Sequence, residues 1–155
     1  MGVLVAQNGR STRLRTQHPL SGAFRGCPDP VAPGVESAVH HHEGFWGAVV
    51  CLRGVLENVS YSLKTGQLRT TEIIRATERG IVAEPDGTLH KIKNGSDSDP
   101  LVTLHFYSPA LADLDGLVLY DLPTGNRLTC NSLAPSASVD LDRTYYREVE
   151  PSAFE

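Results

Sequence analysis

Gly34-Val35-Glu36-Ser37-Ala38-Val39-His40-His41-His42-Glu43-Gly44-Phe45-Trp46-Gly47, running on to Gly54, sets two histidines one residue apart inside a frame of glycines. About fifty residues later Pro85-Asp86-Gly87-Thr88-Leu89-His90, closing at Asn94, brings a third histidine out of a turn. Side chains alternate faces along a strand, so His40 and His42 share one face and His41 takes the other. A third imidazole from a neighbouring strand completes a three-nitrogen face for one divalent metal. Imidazole suits iron, nickel, copper or zinc, and the open positions of such a face leave room for small molecules. The apolar residues around the tract, Val39 before it and Phe45 to Val50 after it, read as buried strands and not as a solvated surface run.

Outward from these segments, short β-branched and aromatic runs alternate with turn residues. The pattern predicts strands over Gly2–Ala6, Glu36–His42, Trp46–Arg53, Leu56–Ser62, Gln67–Ala76, Gly80–Ala83, His90–Lys93, Leu101–Tyr107, Gly116–Leu122 and Arg127–Cys130. Lys64-Thr65-Gly66, Pro85-Asp86-Gly87, Asn94-Gly95-Ser96 and Pro123-Thr124-Gly125-Asn126 are turns, because each contains residues that reach positive φ or fix it. The glycines and prolines around Cys27 predict an ordered surface loop, and Asn131–Asp140 an irregular arm. Closely spaced strands of this kind argue for an all-β sandwich or barrel.

Length and composition narrow the function. The 155 residues suit a single domain, with a core over about residues 34–130 and a C-terminal arm over 131–155. A net charge of −4, with scattered cations, argues against nucleic acid as a partner. No apolar run is long enough to span a bilayer, and Met1–Asn8 is too short for a signal peptide. Three cysteines with no close spacing fit free thiols in a reducing compartment, so the expected location is the cytoplasm.

The two histidine segments resemble the paired motifs of the cupin superfamily, and this implies a cupin barrel of two facing antiparallel sheets. The superfamily's first motif carries a glutamate ligand at the place that Gly47 occupies here, which leaves three histidines without a carboxylate. Glu43, beside His42, has the wrong spacing to replace it. Thr103-x-His105-x-Tyr107-Ser108-Pro109 is similar to the Ser-x-His-x-Tyr-Ser-Pro strand of the cysteine dioxygenase type I family. That resemblance implies Fe(II) on His40, His42 and His90, with Thr103, His105 and Tyr107 as a catalytic relay. It implies oxidation of a small thiol carboxylate, cysteine or a 3-mercapto acid, to its sulfinate by O2. It also implies an arginine that binds the substrate carboxylate; Arg13 falls at that place, with Arg10, Arg15 and Arg25 as alternatives.

Trp46 and Phe45 are candidates for the pocket wall or for plain core packing. The family's tyrosine before the arginine is Ser11 here, and the cysteine that some members join to the active-site tyrosine is Gly47. A dioxygenase acting on a carbon substrate and a non-catalytic ligand-binding cupin are the alternative readings. The expected assembly is a monomer or homodimer.

Overall fold

The computed structural model describes residues 24–26, 31–151 and 153–154. These residues form strands β1 (Phe24–Gly26), β2 (Val39–His41), β3 (Trp46–Arg53), β4 (Leu56–Lys64), β5 (Gln67–Ala76), β6 (Ile81–Glu84), β7 (Leu89–Asn94), β8 (Val102–Ser108), β9 (Val118–Asp121), β10 (Asn126–Cys130) and β11 (Tyr146–Glu150), with one short 3-10 turn at Arg143–Tyr145. Antiparallel pairing builds a four-stranded sheet in the order β1-β8-β3-β6 and a seven-stranded sheet in the order β11-β10-β9-β2-β7-β4-β5. Among the described residues there is no α-helix, and no helix is long and apolar enough to cross a membrane.

The inward faces of the two sheets follow from period-two alternation. In β3, Gly47, Val49 and Cys51 are buried while Trp46 and Leu52 are exposed. Thr103, His105 and Tyr107 alternate in the same way along β8, so three polar residues share its buried face. Apolar clusters flank this polar strip. Val49, Cys51, Leu56, Val82 and Leu101 pack on one side, and Tyr107 joins Leu117, Leu119 and Leu128 on the other.

β3 and β5 have the bounds expected from sequence, and the other strands differ for local reasons. Glu36–His42 was expected as one strand, yet only Val39–His41 is regular. Ser37 explains the difference: its Oγ, not a carbonyl, accepts the Ile92 amide at 3.0 Å, and this interrupts the ladder. β6 begins after Gly80, whose amide donates to the Thr77 carbonyl at 2.7 Å and belongs to the turn.

The stretch around Cys27 was expected as a loop throughout, but Phe24–Gly26 pairs with β8. Three residues at a sheet edge tolerate flanking prolines and glycines, because one side of an edge strand needs no partner. Past the irregular Asn131–Asp140, the chain returns as β11 against β10. Gly2–Ala6 lies outside the described residues.

Candidate metal centre

The register of two strands assembles the three imidazoles. β2 lies antiparallel to β7 with His40 directly opposite His90. Beyond the strand end, the His42 amide donates to the Thr88 carbonyl at 2.8 Å and the Gly87 amide to the His42 carbonyl at 2.6 Å. These bonds lock the Pro85–Gly87 turn onto the histidine tract, and the Gly44 amide adds another by donating to the Asp86 carboxylate at 2.9 Å. Gly87 has a φ of +81°, a conformation that a β-carbon disfavours, which is why the turn needs glycine there.

The Nε2 atoms of His40, His42 and His90 lie 3.1–3.2 Å from one another. They are the described group of side chains placed to hold a metal ion. His40 Nδ1 stands 3.0 Å from the Ala38 carbonyl and His90 Nδ1 2.6 Å from Asn58 Oδ1. Each acceptor requires the proton on Nδ1, which leaves Nε2 as a bare lone pair on both rings. Burial holds all three imidazoles neutral: it lowers His40, takes His90 well below its ordinary value, and brings His42 down to about 2.

Converging lone pairs repel one another unless a cation lies between them, so the donor set fits a metal. A metal about 2.1 Å from each nitrogen separates neighbours by about 3.0 Å at right angles and about 3.4 Å in a tetrahedron. The observed edges fall between these two arrangements, so the three nitrogens are already spaced as ligands of one ion.

The sequence also singled out residues that fall elsewhere. His41 points away from the other two, half-buried, with Nδ1 3.7 Å from the carboxylate of exposed Glu43. Glu43 therefore has no part in the histidine face. Asn94 is fixed structurally: its Nδ2 donates to the Val31 and Asp99 carbonyls at 2.9 and 2.8 Å. Trp46, expected as a pocket residue, is 46% exposed on the outer face of β3, because it is one residue out of step with inward Gly47. Phe45 is buried, its ring centroid 4.5 Å from that of His42. Arg13 lies outside the described residues, as do Arg10 and Arg15. The backbone of Arg25 occupies the register position opposite His105.

The four-stranded sheet supplies the polar line that faces the histidines. Thr103 Oγ1 lies 3.1 Å from His105 Nε2, and His105 Nδ1 lies 3.2 Å from the Tyr107 hydroxyl. Burial brings His105 down to about 3 and pushes Tyr107 well above the ordinary phenol value, so both are neutral. A cavity of about 410 Å³ opens onto this line and is bordered by His40, Thr103, His105 and Tyr107. Lys91, which also borders it, is paired with Glu36 at 2.7 Å.

Among the described residues the three imidazoles alone form the group placed to hold a metal, as expected from sequence, but a carboxylate that the sequence did not single out lies beside them. Glu84, fully buried at the end of β6, places Oε2 3.8 Å from His42 Nε2 and Oε1 3.5 Å from His90 Nδ1. The contacts are not ion pairs in the metal-free chain, since burial pushes Glu84 up to about 8 while the imidazoles stay neutral. Asn58 was missed as well. Glu84 carried one legible sign, since period two puts it on the inward face with Val82, whereas Asn58 sits among Glu57, Ser60 and Ser62 in a strand with no apolar run to mark it.

A family model for cysteine dioxygenase type I matches residues 30–117, which include all three histidines and the Thr103–Tyr107 line. The chain belongs to the cysteine dioxygenase type I family. Similar solved structures include a sugar phosphate isomerase of the cupin superfamily from Silicibacter pomeroyi, at 15% identity and a TM-score of 0.48, covering 77% of this chain and 62% of that one. Peruvianin-I, a cysteine peptidase from Thevetia peruviana latex, matches at 20% identity and a TM-score of 0.39, over 49% of this chain and 44% of that one. The cupin domain of Schizosaccharomyces pombe Cnp3 matches at 18% identity and a TM-score of 0.41, over 63% and 67%. The family chain therefore spans less than two thirds of the first two structures. No curated protein matches it. The two-sheet, nearly all-β architecture is that of a cupin.

Proposed function

We propose that this cysteine dioxygenase family chain is an iron(II)-dependent thiol dioxygenase, which oxidises a small thiol carboxylate to its sulfinate. The observation that carries the reading is the three-nitrogen group of one sheet set against a Thr-His-Tyr line of the other, with one cavity bordered by that line and by His40. Iron(II) held by His40, His42 and His90 would supply a Lewis-acidic, redox-active centre that favours thiolate over thiol and couples it to dioxygen.

The protein's part is orientation. His105, brought down to about 3, is too weak a base to store a proton, so its task is to aim its neighbours. With the proton on Nδ1, His105 donates to the Tyr107 oxygen, and its Nε2 accepts from Thr103. The phenol proton is then left to donate into the cavity, to substrate or to oxygen. Buried Phe45, its ring centroid 4.5 Å from that of His42, and Leu119, opposite His40 in register, set apolar side chains beside the histidines.

In the overall reaction both atoms of O2 end on sulfur. Sulfur gives up four electrons, dioxygen takes them, and the thiol proton is released. The carboxylate-binding guanidinium is assigned to Arg13, with Arg10, Arg15 and Arg25 as alternatives.

The test is dioxygen consumption by the iron-loaded chain against cysteine, 3-mercaptopropionate, cysteamine and thiol-free carbon acids. Sulfinate should form with both oxygens drawn from labelled dioxygen. Turnover of the carbon acids alone would move the chain to carbon dioxygenation, and no turnover at all would leave a ligand-binding cupin.

A further inference from the structure

Glu84 has no structural reason to be charged or polar where it lies. It is fully buried, and neither carboxylate oxygen has a hydrogen-bond partner among the described residues. An unsatisfied buried carboxyl costs free energy that a leucine or glutamine would avoid. Its position is specific nonetheless. Glu84 pairs in register with Gly47 on β3, and Gly47 in turn lies opposite Tyr107 on β8. A β-carbon on residue 47 would stand 2.7 Å from Glu84 Oε2 and 2.9 Å from the Tyr107 ring. Only glycine there lets the Glu84 carboxylate and the Tyr107 ring come so close together beside the histidines.

We propose that Glu84 is a fourth protein ligand of the metal held by His40, His42 and His90. The carboxylate reaches it from β6 through the gap over Gly47. This rests on the metal-centre reading above and deepens it.

The separation of 3.8 Å between Oε2 and His42 Nε2 exceeds the 3.1–3.2 Å imidazole edges by several tenths of an ångström. Glu84 lies outside the three-imidazole group whose ligand atoms are within 4.8 Å of one another, so its carboxylate moves inward past His42 when a cation arrives. Charge supports the assignment. Three neutral imidazoles leave a buried dication uncompensated, and one carboxylate plus one substrate thiolate bring the assembly to zero, the state a low-dielectric interior favours. A six-coordinate metal then keeps two positions for small molecules and not three.

The experiment uses the full chain and Mn(II) at saturating concentration, with exchangeable waters counted from water proton relaxation. Glu84→Gln, which keeps the shape and removes the charge, should add one exchangeable water and weaken Mn(II) by more than the roughly ten- to hundredfold typical of residues outside the coordination sphere. Gly47→Ala, which keeps Glu84 but pushes its carboxylate away, should add the same water. Thermal unfolding in chelator verifies that each variant folds. An unchanged water count in Glu84→Gln overturns the proposal whatever the affinity does. A wild-type chain that binds no Mn(II) while His42→Ala behaves identically would instead sink the three-histidine reading itself.

Discussion

Tyr107 shows how one neighbour sets what a side chain can become. Opposite it in register stands Gly47, with no thiol to form a thioether. Both described cysteines are buried free thiols, and Cys51 lies 3.5 Å from the Gly54 carbonyl. The tyrosine is expected to remain an unmodified phenol, held at 3.2 Å by His105 and kept protonated by burial. Tyr107→Phe deletes only the hydroxyl and leaves the ring packed on Phe45 and His42. Turnover should fall roughly ten- to a hundredfold, the range for losing a partner outside the coordination sphere, with metal content unchanged. Peptide mass spectrometry should find the Tyr107 peptide free of any cysteine adduct. Full activity in Tyr107→Phe would reduce the polar line on β8 to a structural feature.

At the scale of elements, a one-residue offset decides which histidines meet. β2 is only three residues long, yet its pairing with β7 and β9 fixes which face each ring takes. His41→Ala should keep stoichiometric iron, whereas His40→Ala, His42→Ala and His90→Ala should each lose tight binding, as measured by metal analysis after desalting. Iron lost from His41→Ala and kept by His42→Ala would mean that the strand is rotated by one position. This part of the site was legible because period-two alternation depends on nothing beyond the sequence. The same rule places Thr103, His105 and Tyr107 on one face.

Trp46 went astray through motif proximity: it adjoins the histidine tract but is out of step with Gly47. Glu84 stayed hidden for a different reason. Its relation to the histidines depends on β6 pairing with β3 and on the two sheets facing each other, and those are long-range facts that no local spacing encodes. The three-residue β1 was equally illegible, since breakers on both sides resemble a loop until its edge partner β8 is known.

For the whole molecule, the buried titratable groups predict a stability optimum in the metal-free state. His40, His42, His90 and His105 are all held neutral, with His42 at about 2 and His105 at about 3. A histidine whose folded value is depressed contributes stability that is complete above its unfolded value near 6.5 and is lost as pH falls below it. Glu84, raised to about 8, works in the opposite direction. Its contribution is complete below the unfolded carboxyl value near 4.3 and is lost as pH rises toward 8. Each proton taken up or released changes the unfolding free energy by about 1.4 kcal/mol per pH unit. Below pH 6.5 four histidines oppose one carboxyl, so stability falls with acid. Between pH 7 and 8 the carboxyl acts nearly alone, so stability falls with base. The chain in chelator should therefore unfold at its highest temperature near pH 7, and Glu84→Gln should flatten the limb between pH 7 and 8 while keeping the acid limb. Iron should reverse that limb in the wild type, because a bound dication favours the ionised carboxylate and stabilises only the folded chain. A wild-type melting temperature that stays level from pH 7 to 8 in chelator would show that Glu84 is hydrated or partnered in solution, and would remove the electrostatic pressure that a metal is argued to relieve.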